Sequence, residues 1–439
     1  MSTTTDSARP GAGRVSRPAL RRCVAGDLDA FAETAWGRQA VLSRADDLAK
    51  NAGPDAGAEG FGDLFSLGAV DELLSRRGLR TPFLRIAKAG HVVGSSQFTG
   101  GGGAGAEVDD QVRDDRVAGL FADGHTVVLQ GLHRTWGPVT DFVTDLSTDL
   151  GHPVQVNAYV TPSSSQGFSA HYDVHDVFVL QVAGSKRWHV HAPVHTDPLR
   201  DQPWNDHAAA VRERATEEPL IDEVLHPGDA LYLPRGYLHS ATAQGEVSAH
   251  LTVGVHVLTR HALLEALVAG LSEDPELRTS LPLGIDVADP AALAPHLTTV
   301  AARVAQDMQG ADTQAERVAR RVRRRVWTGN RPEPVPPLAQ AAAATGVGPD
   351  TVVRLRHGLR HHLVPTAETV RLELPDRVLD LPIEVGAALG TLLGGHAVAV
   401  SALPGEPDAA VTLVSRLLRE AVLVPSGGAT PDPSGTTDR

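Results

Sequence analysis

The amino-acid sequence predicts a mainly β fold with helices: an antiparallel sandwich or barrel, then a helical segment, then a small α+β module. Three observations support this order. Short β-branched runs separated by Gly, Pro, Asn and Asp fill the stretch from about residue 31 to residue 255. Apolar residues then recur at helical spacing over 256–327. Four prolines crowd the seven residues 331–337, which suits a stiff linker between domains.

Each part of this order has its own sequence signals. The predicted strands of the first part are TVVLQGL, VQVNAYV, VFVLQVAG, KRWHVHAP and DALYLP, with some helices before them. The predicted helices of the second part are HALLEALVAGLSE, TTVAARVAQDMQ and ERVARRVRRRVW. After the linker, VVRLRHGLRHHLV and TVRLELPDRVLDLP alternate like strands, whereas AALGTLLGG and DAAVTLVSRLLREAVLV have helical spacing.

The composition is that of a folded protein and limits the kinds of site. Of the 439 residues, 42% are hydrophobic and 21% charged, so two or three folded units are expected. The net charge of −13 argues against a surface that wraps a phosphate backbone. Cys23 is the only cysteine, which excludes intramolecular disulfides and cysteine-rich metal sites and favours an intracellular protein. A metal would need His, Asp or Glu, and 20 histidines are available.

The sequence offers no membrane or secretory segment. No stretch approaches the roughly 20 apolar residues of a membrane span, and residues 1–22 lack the apolar core of a signal peptide. We therefore expect a cytoplasmic protein without membrane contact. Residues 1–25 and 426–439 are polar and rich in Pro and Gly, which predicts disordered tails. The tract from Thr99 to Gly105, TGGGGAG, predicts a mobile loop, and no Lys-Ser or Lys-Thr follows it as in a P-loop.

A candidate metal site lies in the segment NAYVTPSSSQGFSAHYDVHD. His171 and Asp173 are two residues apart beside strand-like sequence, so their side chains would leave the same face. His239 follows the turn Pro-Arg-Gly in PGDALYLPRGYLHSA and could reach them from a neighbouring antiparallel strand. Two histidines and one carboxylate leave three positions of an octahedral metal open, as in non-haem Fe(II) enzymes. A His-x-Asp pair alone is weak evidence, because chance pairs are common in a histidine-rich chain.

A candidate anion-binding lysine lies on the strand after this segment. Gly184 predicts a hairpin between VFVLQVA and KRWHV, so Lys186, Trp188 and Val190 would share one face of the second strand. A lysine that alternates with tryptophan and valine points inward, where its ammonium group needs an anion. Lys186 is therefore a candidate for gripping a carboxylate of a dicarboxylic cosubstrate. The alternative is a surface lysine on a hairpin that twists outward.

With these motifs the sequence resembles the JmjC-type oxygenases of the cupin-4 group, which depend on 2-oxoglutarate and Fe(II). Their best-known members are the ribosomal oxygenases, which hydroxylate an arginine or a histidine of a ribosomal protein. The resemblance covers residues 31–193 and 225–257. It rests on Asn157 and Tyr159 in NAY, His171 and Asp173 in HYD, Gln181, Gly184, Lys186 and Trp188 in QVAGSKRW, and His239 in PRGYLHSA.

The resemblance implies roles for some of these residues. His171, Asp173 and His239 would bind iron and form the catalytic centre, and Lys186 would pair with the C5 carboxylate of 2-oxoglutarate. Tyr159 and Asn157 would line the pocket for cosubstrate and substrate, although a core tyrosine and a strand-edge asparagine are the alternatives. Four further candidates are absent from the family motif, and we interpret them as surface groups or as neighbours of the ligands: His175, Asp176, His189 and His191.

The resemblance also implies a layout: a JmjC double-stranded β-helix (cupin) catalytic domain over 26–257, a helical dimerisation segment over 258–330 and a winged-helix-like α+β domain over 331–425. The expected partners are a protein or peptide substrate and a second copy of the chain. Nucleic acid is not expected except through contact with the ribosome. Six arginines between Arg317 and Arg325 could dock such a particle, but Val318, Val322 and Val326 predict an ordinary solvated helix face.

The identity of the substrate stays open. A ribosomal protein is the first expectation by resemblance, and a peptide or natural-product intermediate is the second, because one fold accepts many substrates through its loops. A cupin scaffold without catalytic activity, binding protein or nucleic acid, is an alternative of a different class. Formation of succinate from 2-oxoglutarate would separate the enzymes from the scaffold.

Overall fold

The computed structural model describes residues 16–52, 60–88, 90–163, 165, 169–308 and 311–426. The chain divides into two compact units between Val257 and Leu258. The first unit contains the β-rich stretch and all the candidate site residues. The second contains the helical segment together with the C-terminal module, and each unit is described by itself below.

The first unit consists of short helices and mostly antiparallel strands. Its helices are α1 (Pro18–Arg21), α2 (Leu28–Thr34), α3 (Ala45–Ala52), α4 (Leu67–Arg76), α5 (Asp114–Ala122), α6 (Leu132–Thr135), α7 (Gly137–Leu150) and α8 (Ala208–Arg214). Its strands are β1 (Val41–Ser43), β2 (Leu84–Lys88), β3 (His91–Val92), β4 (Thr99–Gly100), β5 (Gln111–Val112), β6 (Thr126–Leu129), β7 (Val154–Thr161), β8 (Asp176–Ala183), β9 (Lys186–His191), β10 (Ile221–Leu225), β11 (Ala230–Leu233), β12 (Leu238–Ala243) and β13 (Ser248–Val255). The five runs that predict strands form β6, β7, β8, β9 and β11.

Two antiparallel sheets face each other in this unit. The larger has the strand order β1-β11-β8-β13-β7-β6-β2-β3, and the smaller has the order β10-β9-β12. A cluster of buried side chains between them includes Val177 and Val179 of β8 and Trp188 and Val190 of β9. Because side chains alternate along a strand, the other face of β7, β8 and β13 packs into a second core with the helices. This arrangement is the predicted double-stranded β-helix.

Alternation along the central strands decides which residues face the space between the sheets. In β7, Val156, Ala158 and Val160 enter the core that the helices cover. Tyr159 and Thr161 therefore lie on the opposite face, towards the smaller sheet. The register of β13 places His250 opposite Tyr159, so the two side chains share that face. Lys186 and Trp188 approach the same space from β9.

The structure corrects two expectations about order. The expectation of a disordered tail over 1–25 is wrong for its second part, because α1 forms and Leu20 and Cys23 are buried. The apolar side chains of the segment LRRCV pack into the core of the first unit. The prolines and arginines around them led to the prediction of disorder. Ser426, the first residue of the second expected tail, donates its N–H to the Val352 carbonyl oxygen at 2.8 Å, so this residue is ordered. Residues 1–15 and 427–439 lie outside the described residues.

The glycine-rich tract is more regular at its start than predicted. Thr99 and Gly100 form β4, which pairs with Gln111 and Val112 of β5. The buried Thr99 hydroxyl also donates to the Ser95 carbonyl at 3.0 Å. These contacts anchor one end of the tract, so only its remainder has the character of a loop.

The second unit contains helices followed by an α+β module. Its helices are α9 (Arg260–Gly270), α10 (Pro290–Asp307), α11 (Ala311–Gly329), α12 (Pro337–Thr345), α13 (Gly386–Leu392) and α14 (Pro407–Arg419). Its strands are β14 (Val352–Leu355), β15 (His362–Pro365), β16 (Thr369–Glu373), β17 (Val378–Pro382), β18 (Val398–Ala399) and β19 (Leu423–Pro425). The strands form two small sheets, β15-β16-β17 and β18-β14-β19. Within the described parts of both units, no helix has the length and apolar character needed to cross a bilayer.

The arginine-rich stretch lies within α11. Three of its arginines meet carboxylates of the same unit, in the ion pairs Arg317–Asp307, Arg323–Glu316 and Arg325–Glu265. The guanidinium carbon of Arg323 also lies over the ring of Trp327, 5.9 Å from its centroid, which is within the limit of about 6 Å for a cation–π contact. Much of the charge is therefore matched locally, which favours a solvated helix face.

Candidate functional site

Three predicted ligands meet at one end of the space between the sheets. One candidate ligand atom from each of His171, Asp173 and His239 lies within 4.8 Å of the other two. The two imidazole centroids are 4.5 Å apart, and Nε2 of His239 is 3.7 Å from Oδ2 of Asp173. Among the described residues this is the one group of three His, Cys, Asp or Glu side chains so arranged. Its spacing is that of donors able to share one metal ion.

Backbone contacts orient both imidazoles towards the centre of this group. Nδ1 of His171 lies 2.8 Å from the Ser169 carbonyl oxygen, and Nδ1 of His239 lies 3.1 Å from the Tyr237 carbonyl oxygen. A carbonyl only accepts hydrogen bonds, so Nδ1 is the donor in each ring and Nε2 is the atom that could bind a metal. Burial, followed by repulsion from His171, lowers the pKa of His239 to about 4, which keeps it neutral and able to bind a metal.

Lys186 is buried at the inner end of the pocket. Its side chain is 3% exposed, and Nζ donates to Oγ1 of Thr161 at 3.0 Å and lies 3.2 Å from Nδ1 of His250. Among the described residues, no carboxylate oxygen lies within 4.0 Å of Nζ. Burial lowers the pKa of Lys186 to about 7. The inward orientation predicted for this lysine is thus present, and its partners in the structure are neutral.

Aromatic groups form the walls between Lys186 and the three ligands. The ring of Tyr159 stacks on the imidazole of His250, with centroids 5.1 Å apart and an interplanar angle of 3°. Trp188 meets the same imidazole edge-on at 5.3 Å. The indole Nε1 of Trp188 is buried and has no hydrogen-bond partner among the described residues. An orphaned donor beside a buried ammonium indicates a place for an acceptor-rich ligand.

Tyr159 lines this pocket, whereas Asn157 does not. The pocket is bounded by Thr126, Tyr159, Thr161, His171, Asp173, Lys186, Trp188, His239, Ser240, Ala241, His250 and Thr252. Oδ1 of Asn157 instead accepts the N–H of Gly131 at 2.9 Å, where Gly131 has a φ of +62° at the start of α6. The expectation that Asn157 lines the pocket is therefore wrong, because its amide holds a turn from a distant part of the chain.

Sequence reasoning missed Thr161 and His250. Thr161 lies on β7 two residues after Tyr159, so the alternation of the strand could have found it. His250 lies in the strand sequence SAHLTVGV, where no neighbouring turn residue or charged residue indicates that the histidine belongs to a site. Only the pairing of β13 with β7 places it beside Tyr159 and Lys186.

The four other candidates lie outside the group of three. Asp176 is fully buried and accepts a hydrogen bond from the Tyr232 hydroxyl, so a surface position is wrong for it. His191 is also buried, at 5% exposure, and its Nδ1 has no partner among the described residues. His189 lies on the outer side of β9, 3.2 Å from Asp222, and His175 packs against His256 with centroids 5.7 Å apart.

The donor set fits the groups that the resemblance implies. Two imidazoles and one carboxylate form the set that non-haem Fe(II) oxygenases use. Lys186 has no counter-ion in the described structure, and a ligand carboxylate would supply one. The residues present therefore suit a metal ion at the outer end of the pocket and a carboxylate at the inner end.

Comparison with known proteins agrees with this geometry. Residues 139–263 match the family described as the JmjC domain. The chain is 40% identical over 184 residues to the bifunctional lysine-specific demethylase and histidyl-hydroxylase NO66 of Drosophila grimshawi, which covers 40% of this chain and 25% of that protein. It is 37% identical over 151 residues to ribosomal oxygenase 1 of Rattus norvegicus, covering 33% of this chain and 25% of that protein. The matches thus span about a quarter of the length of these relatives.

Solved structures extend the likeness of fold over most of the chain. The crystal structure of the Escherichia coli ribosomal oxygenase YcfD aligns with a TM-score of 0.52 at 17% identity, covering 92% of this chain and 99% of that one. The structure of YcfD in complex with cobalt and 2-oxoglutarate aligns with a TM-score of 0.50 at 16% identity, covering 91% and 98%. This chain therefore contains a JmjC domain and resembles the ribosomal oxygenases in fold.

Proposed function

We propose that this chain, which contains a JmjC domain, is a 2-oxoglutarate- and Fe(II)-dependent dioxygenase that hydroxylates a protein side chain. One observation carries the proposal: His171, Asp173 and His239 converge at the outer end of a pocket whose inner end holds an ammonium group without a counter-ion. Together these two features suit a ligand that has a carboxylate at one end and metal-chelating oxygens at the other.

The residues of the pocket have separable tasks in this proposal. His171, Asp173 and His239 would hold the metal and leave positions free on one side of it. Lys186 would fix the far carboxylate of 2-oxoglutarate, with Thr161 and His250 holding the ammonium in place through the contacts already present. Bound Fe(II) and 2-oxoglutarate would together activate dioxygen, the oxidant, so that one oxygen atom enters an unactivated C–H bond and the other enters succinate.

The walls of the pocket would protect this chemistry from water. Tyr159, His250 and Trp188 pack ring against ring in the wall of the pocket, where they would exclude water. Burial keeps the His250 pKa well below its ordinary value, so the ring stays neutral and can accept from Lys186. Trp188 Nε1 is a further donor for an oxygen of the cosubstrate.

We infer that the substrate is a ribosomal protein, with arginine or histidine as the hydroxylated residue. The curated relatives include a histidyl-hydroxylase and a ribosomal oxygenase, and the fold matches a bacterial ribosomal oxygenase over 92% of this chain. The functions of those proteins support a protein substrate here. A peptide or natural-product intermediate is the second candidate, and a scaffold without activity is the third.

The second unit would act in assembly. Helix α9 exposes Leu263, Leu264 and Val268 at 44%, 54% and 52%. Large apolar side chains with this exposure favour burial against another surface, so we propose that α9 contributes to a homodimer. We also propose a cytoplasmic location, since the one cysteine of the sequence, Cys23, is buried and unpaired with any other thiol.

The test couples cosubstrate turnover to modification of a target. Purified protein with Fe(II), dioxygen and 2-oxoglutarate is incubated with ribosomal proteins, and succinate is measured beside their intact masses. One turnover should convert 2-oxoglutarate to succinate and carbon dioxide and add one oxygen, about 16 daltons, to one target. The D173A variant serves as the control. Nucleic-acid binding without any succinate would instead favour the scaffold.

A further inference from the structure

The segment that carries His171 and Asp173 runs antiparallel to the segment that carries His239, and three contacts tie them together. At one end, the backbones of His171 and His239 exchange two hydrogen bonds, of 3.2 and 2.8 Å. In the middle, the N–H of Gly236 donates to the Asp173 carbonyl oxygen at 3.0 Å. At the other end, a side chain of one segment contacts the backbone of the other.

Asp176 supplies this third contact with its side chain. Oδ1 accepts the backbone N–H of Arg235 at 3.2 Å and is 3.4 Å from Nη1 of the same arginine. The other oxygen accepts from the Tyr232 hydroxyl. The Asp176 side chain is fully buried and that of Arg235 is 13% exposed, so the pair is well shielded from water. Shielding makes a charge-assisted contact of this kind strong and costly to break.

Arg235 also reaches outward from this pair. Its Nη2 lies 3.2 Å from Oδ1 of Asp197, whose side chain is 55% exposed. The adjacent Gly236 has a φ of +89°, and an added Cβ would lie 2.6 Å from the His195 carbonyl oxygen. The turn before His239 is therefore held in a conformation that few sequences could adopt, and Arg235 is fixed on both sides.

We propose that Asp176 and Arg235 are positioning residues for the metal centre. They set the separation between the Asp173 and His239 segments and supply no ligand themselves. Asp176 lies three residues beyond Asp173, and Arg235 lies four residues before His239, so a shift in their pairing moves two of the three ligands relative to each other. The inference rests on the proposed function, because it assumes that this centre binds a metal.

The test measures metal binding to the full-length protein, with Co(II) as the probe and its visible absorption as the readout. D176N keeps the size of the side chain and removes its charge, and R235M removes the guanidinium. Both variants should bind Co(II) ten- to a hundredfold more weakly than the wild type and change the shape of its absorption band. R235K should bind Co(II) more tightly than R235M but more weakly than the wild type. The lysine ammonium can keep one charged contact, whereas the planar guanidinium of arginine makes two.

The matched control is D222N. Asp222 pairs with Arg187 at 2.7 Å on the exposed side of the smaller sheet, so this variant breaks an ion pair of the same domain away from the centre. It should bind Co(II) like the wild type.

Other outcomes are decisive as well. A folded R235M protein with wild-type Co(II) affinity and spectrum overturns the inference and leaves the proposed function intact. Loss of near-ultraviolet circular dichroism in both D176N and R235M also overturns it, since the pair then stabilises the domain as a whole. If the wild type binds no Co(II), the proposed function fails first.

Discussion

His171 and His239 lie side by side because their backbones are hydrogen-bonded, with the N–H of His239 2.8 Å from the His171 carbonyl oxygen. The two ligands therefore keep their places without help from their side chains. Each imidazole is oriented separately, through its own Nδ1 and a nearby backbone carbonyl. Removing one ligand side chain should leave the other two where they are.

The D173N variant tests this independence. The amide keeps the shape of the carboxylate but loses the charge that a divalent cation requires, so Co(II) binding should fall by at least about a hundredfold. Circular dichroism and the thermal midpoint of the metal-free protein should stay close to those of the wild type. Unchanged Co(II) affinity would remove Asp173 from the ligand set.

The K186M variant should separate binding from stability. Loss of a hydrogen bond to a charged group costs about 1.5–3 kcal/mol, so 2-oxoglutarate should bind roughly 10- to 150-fold more weakly. Folding should become more favourable, since methionine fills the same buried space without a charge. Calorimetry measures the dissociation constant of 2-oxoglutarate, and chemical denaturation measures the free energy of unfolding. K88M is the control, because Lys88 is exposed.

The gain in stability from K186M should depend on pH. Burial lowers the pKa of Lys186 from 10.5 to about 7, so between these values the unfolded chain holds a proton that the folded chain has released. Stability of the wild type therefore rises with pH across this window. K186M should be most stabilising at or below pH 7 and should lose this advantage towards pH 10.5. A gain that does not change with pH would contradict the buried position of the ammonium.

The affinity for 2-oxoglutarate should fall as the pH rises above 7. A carboxylate binds the protonated lysine, and in the empty pocket that form is depleted above a pKa of about 7. The dissociation constant should increase by up to tenfold for each pH unit in the wild type, whereas K186M should show a flat profile. Titrations of the Co(II) protein at pH 6, 7, 8 and 9 measure this dependence.

The hairpin that delivers Lys186 should not tolerate a side chain at Gly184. This glycine has a φ of +57°, and an added Cβ would collide with the Val247 carbonyl oxygen. Gly245 also has a positive φ, of +75°, but open space around it. The G245A variant should lose about 1–2 kcal/mol from backbone strain alone. G184A should lose clearly more, because the collision adds to the strain, and equal losses would refute the collision.

A substitution on α9 tests the proposed homodimer. Leu264 and Val268 are one helical turn apart and both half-exposed, so L264E together with V268E places two charges on the same face. Analytical ultracentrifugation should show a dimer for the wild type and a monomer for the double variant. L338E, which alters a residue that is 87% exposed on α12, should leave the dimer intact.

Local patterns in the sequence predicted the parts of the site that depend on one strand or one turn. The spacing of His171 and Asp173 and the alternation of Lys186 with Trp188 are properties of short segments, and strand geometry translates them directly. His239 needed the turn before it and the family resemblance. The strands of the two facing sheets were found in the same way.

Contacts between distant segments were beyond such patterns. Asn157 looked like a pocket residue, but its amide is used by Gly131. Asp176 was expected to be a surface group or a neighbour of the ligands, because nothing near it in sequence indicates the Tyr232 hydroxyl that it contacts. His250 became visible only through strand register. In each case a long-range hydrogen bond or pairing, which composition does not reveal, decided the role.

The isolation of Lys186 also limits how selective the pocket can be. The ammonium group of Lys186 contacts only a hydroxyl and an imidazole. It can therefore recognise the negative charge of a ligand and the length of chain that places this charge, but no other part of the ligand. Succinate offers the same terminal group as 2-oxoglutarate, so the spent diacid should compete with fresh cosubstrate. Under the proposed function, turnover would then respond to the ratio of the two acids.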